Sequence, residues 1–430
     1  MRAIRRVAAC AAVLGMGCVV AVANDTPAEP GGDTTCCEQG GQGRSSLTDN
    51  WFGFGRSLEE RGIAVRLAVT EVYQINARGG LSTHRRSGRH AGSYDLEITF
   101  DLEKLMHLAG ASVYALAEGS WSEGVDPASI GSLFGVNGDA VGYRSIDLTQ
   151  LWYEQALLEG ALICRLGKVD LTGGFDCRGC PVAFDGNRYA NDETTQFLNG
   201  SLVNNPTIPF PDGGLGAAVY VTPVEWWYIA AGVADAQADG RETGFDTAFH
   251  GRDDVFAICE TGIVAEVPSA PGPLRGAYRV GMWYDPQPKE RLDGPGYERN
   301  DVGMYLSFDQ MLLREAGAGD DEQGLGVFAR WGIADDDVNT VKHFLALGTQ
   351  YQGLIPARDE DVLGLAVARG WLSDAADPRV DRETVFELYY NARLAGWVSL
   401  TPDVQYVCNP AGQAGAGDAL VVGLRLQMSF

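Results

Sequence analysis

The chain has 430 residues, 45% of them apolar, with 33 Lys and Arg against 57 Asp and Glu, a formal net charge of −24. That is ordinary apolar content for a large folded body. So acidic a chain excludes nucleic acid as a partner, because phosphate binding needs basic surface.

The first segment, "MRAIRRVAACAAVLGMGCVVAVAND", has a basic start at Arg2, Arg5 and Arg6 and an apolar run from Val7 to Val20. Ala21-Val22-Ala23 is a small-residue cleavage site before Asn24, so residues 1–23 read as a secretory signal peptide. Cleavage removes three Arg and no acid, which takes the charge from −24 to −27. Residues 24–46, rich in Gly, Pro, Thr and acids, read as a disordered leader. Cys36 and Cys37 stand in it without metal spacing. No later stretch approaches the roughly 20 continuous apolar residues of a transmembrane helix.

From Gly62 onward the sequence alternates by twos, the period of a β-strand. About sixteen segments follow, most near the roughly 9–11 residues of a tilted strand across a bilayer. They begin with "GIAVRLAVTEVYQINA" from Gly62, "SYDLEITFDL" from Ser93, "GASVYALAEGS" from Gly110 and "SIDLTQLWYEQAL" from Ser145. They end with "VFELYYNARLA" from Val385, "WVSLTPDVQYV" from Trp397 and "ALVVGLRLQMSF" from Ala419. The connections run long, short, long, short. Ala77–Gly92, Trp121–Arg144 and Val169–Gly214 are long; "LLEGA", "PVE" and "LAGW" are short. An up-and-down outer-membrane barrel has that parity, with long external loops and short periplasmic turns.

The faces agree. Leu96, Ile98 and Phe100 oppose Asp95, Glu97, Thr99 and Asp101. Phe386, Leu388 and Tyr390 oppose Glu387, Tyr389, Asn391 and Arg393. Leu420, Val422, Leu424, Leu426 and Met428 oppose Val421, Gly423, Arg425 and Gln427. Lipid outside and water inside explain the alternation. Trp51, Trp121, Trp152, Trp226, Trp227, Trp283, Trp331, Trp371 and Trp397 suit an interfacial girdle. The expected fold is thus all-β, a 16-stranded antiparallel transmembrane barrel over 47–430 in the outer membrane. Phe430 closes the last strand as a terminal aromatic.

Stretches such as "WFGFGRSLEERGI", "LWYEQALLEGALICRLGKVDL", "GLIPARDEDVLGLAVARG" and "ELYYNARLAGWVSLTPDVQYVCNPAG", in order from Trp51 to Phe430, resemble the carbohydrate-selective porins of the OprB type. The resemblance implies a sixteen-stranded channel that passes sugars by facilitated diffusion. It also implies carbohydrates, outer-membrane lipid and lipopolysaccharide as partners, assembly machinery that reads Phe430, and a homotrimer.

A sugar path needs charged groups for hydroxyls and aromatic faces for the ring. With the polar face inward, the pathway candidates are Arg66, Asp101, Glu118, Trp152, Glu154, Arg165, Arg279, Arg330, Glu387, Arg393, Asp403 and Arg425. The competing reading of each is a wall salt bridge. Val169–Gly214 is the expected constriction loop, with Phe175, Phe184, Arg188 and Tyr189, held by a Cys177–Cys180 disulfide. One CxxC without further ligands is weak for zinc. There is no Gx4GK[ST], HExxH or GxSxG, so no enzyme, metal or cofactor is expected. His84, His90, His107, His250 and His343 are scattered; "RGGLSTHRRSGRH" reads as a basic loop. The alternatives are a secreted β-rich carbohydrate-binding protein and a plugged barrel that anchors the envelope.

Overall fold

The computed structural model describes residues 46–430, except 86, 176–196, 240–243, 245–247, 250–252, 316–322, 376–378 and 414. The signal peptide, nearly all of the leader, and Cys36, Cys37, Cys177 and Cys180 lie outside the described residues.

The strands are β1 (Ile63–Gly80), β2 (Gly88–Asp101), β3 (Ala111–Trp121), β4 (Arg144–Leu157), β5 (Leu162–Val169), β6 (Gly214–Val224), β7 (Trp227–Asp235), β8 (Val255–Val267) and β9 (Leu274–Asp285). A small hairpin, β10 (Lys289–Glu290) and β11 (Tyr297–Glu298), follows. Then come β12 (Asp301–Arg314), β13 (Gly324–Ile333), β14 (Val341–Gln352), β15 (Val362–Leu372), β16 (Arg382–Ala395), β17 (Val398–Cys408) and β18 (Gly417–Ser429). Without the hairpin, sixteen strands close one antiparallel barrel, with β18 paired back onto β1. In that seam Val69 faces Met428 and Tyr73 faces Leu424. Phe430 extends it, its N–H donating to the Leu67 carbonyl at 2.9 Å; the Leu47 N–H donates to Ser429 at 2.8 Å. Closure removes the free edge that lipid cannot solvate.

Exposure fixes the phase of the strands. Leu388 is 46% exposed and Leu424 44%, while their neighbours Glu387 and Arg425 are 1% and 0% exposed. The apolar face therefore points outward and the polar face inward, the reverse of a soluble sandwich. The inward face is also rich in cross-strand aromatic cover. At Gly364 a Cβ would stand 2.2 Å from the Tyr389 ring, so only glycine lets that ring lie flat on the wall.

Several expectations need correction. Ala77–Gly92 is not a long loop: β1 and β2 run on until only 81–87 connects them, because both strands keep pairing above the bilayer-length stretch. His90 thus lies in β2, its Nδ1 2.8 Å from Glu71 Oε1. The connections 334–340 and 409–416 are also short. The long connection 122–143 does not stand outside as an external loop, and the described parts of 170–213, the expected constriction loop, also lie inside. Val125, Ile130 and Val136 of 122–143, and Phe197, Leu202 and Ile208 of 170–213, are buried against strands of the inner wall. Their apolar side chains have no other surface to leave water against. Trp152 and Trp283 leave the expected girdle: by register both belong to the inward face, and Trp283 is buried.

Charge on the outer face tests this phase. Leu388→Arg, in the middle of β16, is expected to cost about 2–4 kcal/mol, and Leu394→Arg, near the strand end, about 0–1 kcal/mol. Urea titration of folding into lipid vesicles checks the difference; equal losses overturn the assigned belt.

Candidate functional site

The strand register places all twelve candidate wall residues on the inward face. It does not bring them together. They fall into an open group on β3–β5, a buried group under the inner segments, and residues at the turn end.

The open group is built by one cross-strand row, Tyr114 on β3, Trp152 on β4 and Gly167 on β5. Tyr114 and Trp152 stack with centroids 4.8 Å apart and planes 21° from parallel. Gly167 has φ +143, and a Cβ there would meet the Leu151 carbonyl at 2.3 Å, so the wall beside Trp152 stays low. The next row pairs Glu154 with Arg165. Arg165 donates from Nη2 at 2.8 Å and from Nε at 3.1 Å to Glu154 Oε2. Its guanidinium lies 3.8 Å over the Trp152 ring, a cation–π contact worth roughly 0.5–2 kcal/mol. All three side chains remain partly exposed. The result is an aromatic platform with a fixed ion pair on its edge. Tyr114 was not singled out from the sequence, although the alternation of "ASVYALAEGS" puts it on the same face as Glu118.

The buried group anchors the inner segments. Glu387 accepts the backbone N–H groups of Leu198 at 2.6 Å and Asn199 at 2.9 Å. Arg330 donates to the Leu202 carbonyl at 2.9 Å. Gln74 and Gln405 both donate to the Val136 carbonyl at 2.8 Å. Asp403 lies against Glu387 and accepts from Gln405, and Arg425 is the charged neighbour of Asp403 and Asp139. Glu383, not singled out from the sequence, accepts from Ser132 Oγ, Leu133 N and Ala411 N. Arg279 is closed in an ion pair with Asp309, both side chains essentially unexposed.

Two candidates serve the turn end. Asp101 caps the helix Leu102–Met106, accepting from Glu103 N and Lys104 N. Arg393 donates to Gly396 beside the tight turn. Arg66 is exposed opposite Glu97. Phe175 is fully buried against Tyr220, ring centroids 6.0 Å apart, and offers no free face. Phe184, Arg188, Tyr189 and the Cys177–Cys180 pair lie outside the described residues. At the long-loop end a cleft of about 360 Å³ opens between Phe210, Asp212, Phe256, Asp285 and Lys289.

Burial pushes the Asp126 carboxyl, in 122–143, up to about 6, with Glu383 adding to the effect and the Ser132 N–H opposing it. Burial likewise raises Asp139 to about 6, against the pull of Arg425.

The sequence profile described as "Carbohydrate-selective porin, OprB family" matches residues 85–430. Porin B of Pseudomonas aeruginosa is 25% identical over 429 positions, covering 89% of this chain and 91% of that protein. The putative porin QuiX of Acinetobacter baylyi is 22% identical, covering 90% and 94%. The high-pH structure of Pseudomonas putida OprB matches with a TM-score of 0.72 at 20% identity, over 91% of this chain and 100% of that one.

Two outcomes test the inner segments. Glu387→Gln turns an amide N–H toward a backbone donor and is expected to cost about 1–3 kcal/mol. The thermal midpoint of the folded barrel should fall and single-channel conductance should rise. Asp126 holds its proton more tightly when docked than at its ordinary value of 3.8. Its contribution to docking is therefore strongest at low pH and is lost as pH rises from about 4 through 6. Protease cleavage within 122–143 should speed up over that range, and Asp126→Asn should reduce the response to the part that Asp139 carries.

Proposed function

The chain belongs to the carbohydrate-selective porin (OprB) family, and on that premise we propose that sugars cross its lumen by way of the platform formed by Tyr114, Trp152, Arg165 and Glu154. The protein is an outer-membrane porin, and the family performs passage, not chemistry. The observation that carries the proposed route is the stacked, partly exposed Tyr114–Trp152 pair with its Arg165–Glu154 edge. A pyranose ring has an apolar face that packs on aromatic surface and hydroxyls that meet a guanidinium and a carboxylate. One such contact is weak enough to release the sugar, which transport requires.

The remaining candidates take different parts. Arg330, Glu387, Asp403 and Arg425 narrow the lumen indirectly, by holding 197–205 against the wall. Arg279 stabilises the wall through Asp309. Arg66 and Glu118 adjoin the platform. The expected constriction residues Phe184, Arg188 and Tyr189 and the Cys177–Cys180 pair fall in 176–196, outside the described residues, and the proposed route does not depend on them.

The further partners belong to the same reading. Residues 1–23 are removed on export, and 24–46 lead into the barrel. The short-turn end faces the periplasm and the long-loop end faces lipopolysaccharide. Three copies associate in the membrane. Phe430, whose N–H continues the β18–β1 ladder, is recognised by the barrel-assembly machinery.

Liposome swelling with a sugar panel tests the function, and current block by glucose tests the route. Trp152→Ala should leave an open channel whose glucose block is about threefold to tenfold weaker. Unchanged block in a folded variant moves the sugar site elsewhere in the lumen. A wild-type channel without sugar flux would favour a plugged barrel.

A further inference from the structure

A bank of carboxylates adjoins the platform. Asp95 on β2 faces Glu118 on β3, and Glu118 faces Asp147 on β4. Glu97, one inward step along β2, faces Leu116 on β3 and Arg66 on β1. These rows lie directly on the long-loop side of the Tyr114–Trp152 row. Glu97, Glu118 and Asp95 are the acidic neighbours of the Tyr114 hydroxyl, and Arg165 is its one basic neighbour among the groups acting on it. Asp139, carried in by 122–143, joins the same field around Asp95.

The charged groups that act most on Asp95 are all acids, and Arg144 is the cation beside Glu118. Arg165 is committed to Glu154. Arg425 acts on Asp139 and Asp403 within the buried group. Arg66 is exposed one strand away. Acids alone on a wetted wall make only a solvated face. Here a stacked aromatic pair lies beside them, so a bound ring has an orientation and its edge substituents meet carboxylates.

We propose that Asp95 and Glu118 make this channel select among sugars by charge, preferring hexosamines, whose protonated amine donates to the bank, and disfavouring uronic acids. The inference rests on the platform reading of the sugar route. A hydroxyl gives a carboxylate one hydrogen bond from an uncharged donor. An ammonium in its place adds charge attraction and further donors, and a carboxylate adds repulsion. Inorganic cations should be favoured over anions by the same field.

Current block in planar bilayers tests it, with glucosamine, glucose and glucuronate as probes at neutral pH, where most of the amine is protonated and the carboxylates keep charge. Glucosamine should block about threefold to tenfold more tightly than glucose, and glucuronate more weakly, at low salt, with the ratios shrinking as salt screens the field. In the double variant Asp95→Asn, Glu118→Gln the glucosamine-to-glucose ratio should fall towards one and the reversal potential in a KCl gradient should lose cation preference. Asp293→Asn, at the exposed β10–β11 hairpin, is the control for general charge and should keep the wild-type ratio. Equal block of wild type by glucosamine and glucose overturns the inference, as does a ratio that survives the double variant. Trp152→Ala separates the two readings. If it leaves glucose block intact, the platform route fails. If it abolishes glucose block while wild type shows no charge preference, the charge inference alone fails.

Discussion

The pairing of β18 with β1 is the contact on which the rest depends. Without it two strands would present rows of unpaired N–H and C=O groups to hydrocarbon, where each costs several kcal/mol. With it every strand has two neighbours, and the alternating side chains acquire an outside and an inside. The seam is reinforced at the turn end by Leu47 on Ser429 and Phe430 on Leu67. One register then sets the orientation of side chains all round, because a slip by one residue would turn Arg425 into lipid and Leu424 into the lumen.

The closed wall creates a second problem, an interior too wide to be filled by its own side chains. The chain solves it with two inward segments. Their polar groups need partners away from bulk water, and the wall supplies Glu383 and Glu387 to backbone N–H groups and Gln405 to the Asn199 side chain. Charged wall residues thereby divide by environment. Those covered by the segments become fixed partners of backbone groups, where a broken contact is expensive. Those left uncovered on β2–β5 keep water, and with it the freedom to exchange partners with a solute. The same residue types thus serve as anchors on one side of the lumen and as an open, wetted surface on the other.

The aromatic residues divide in a similar way. Some stand on the outer face, as at Trp121, whose indole N–H reaches Glu71 at 2.8 Å. Inside, Tyr305, Tyr389 and Trp283 are sealed under inner segments or against glycines. Among the described inward-facing residues, the Tyr114–Trp152 pair combines a flat stacked face with a polar edge and partial exposure.

Period-two alternation in segments such as Ser93–Leu102 and Ala419–Phe430 was enough to read a barrel, its strand number and the inward face, because a strand between lipid and water writes its two solvents into every second residue. Sequence could not tell which inward charges stay open. Glu387 and Glu154 look alike in their strands, yet one is covered by Leu198 and Asn199 and the other is not. Loop lengths misled at Ala77–Gly92 because strands continue past the bilayer without a change in composition. The stacking of Tyr114 on Trp152 depends on the pairing of β3 with β4. Such cross-strand contacts come from register between separate segments, and local pattern carries no record of register. Alternation determined the solvent of each side chain; only the closed tertiary structure decided its neighbours.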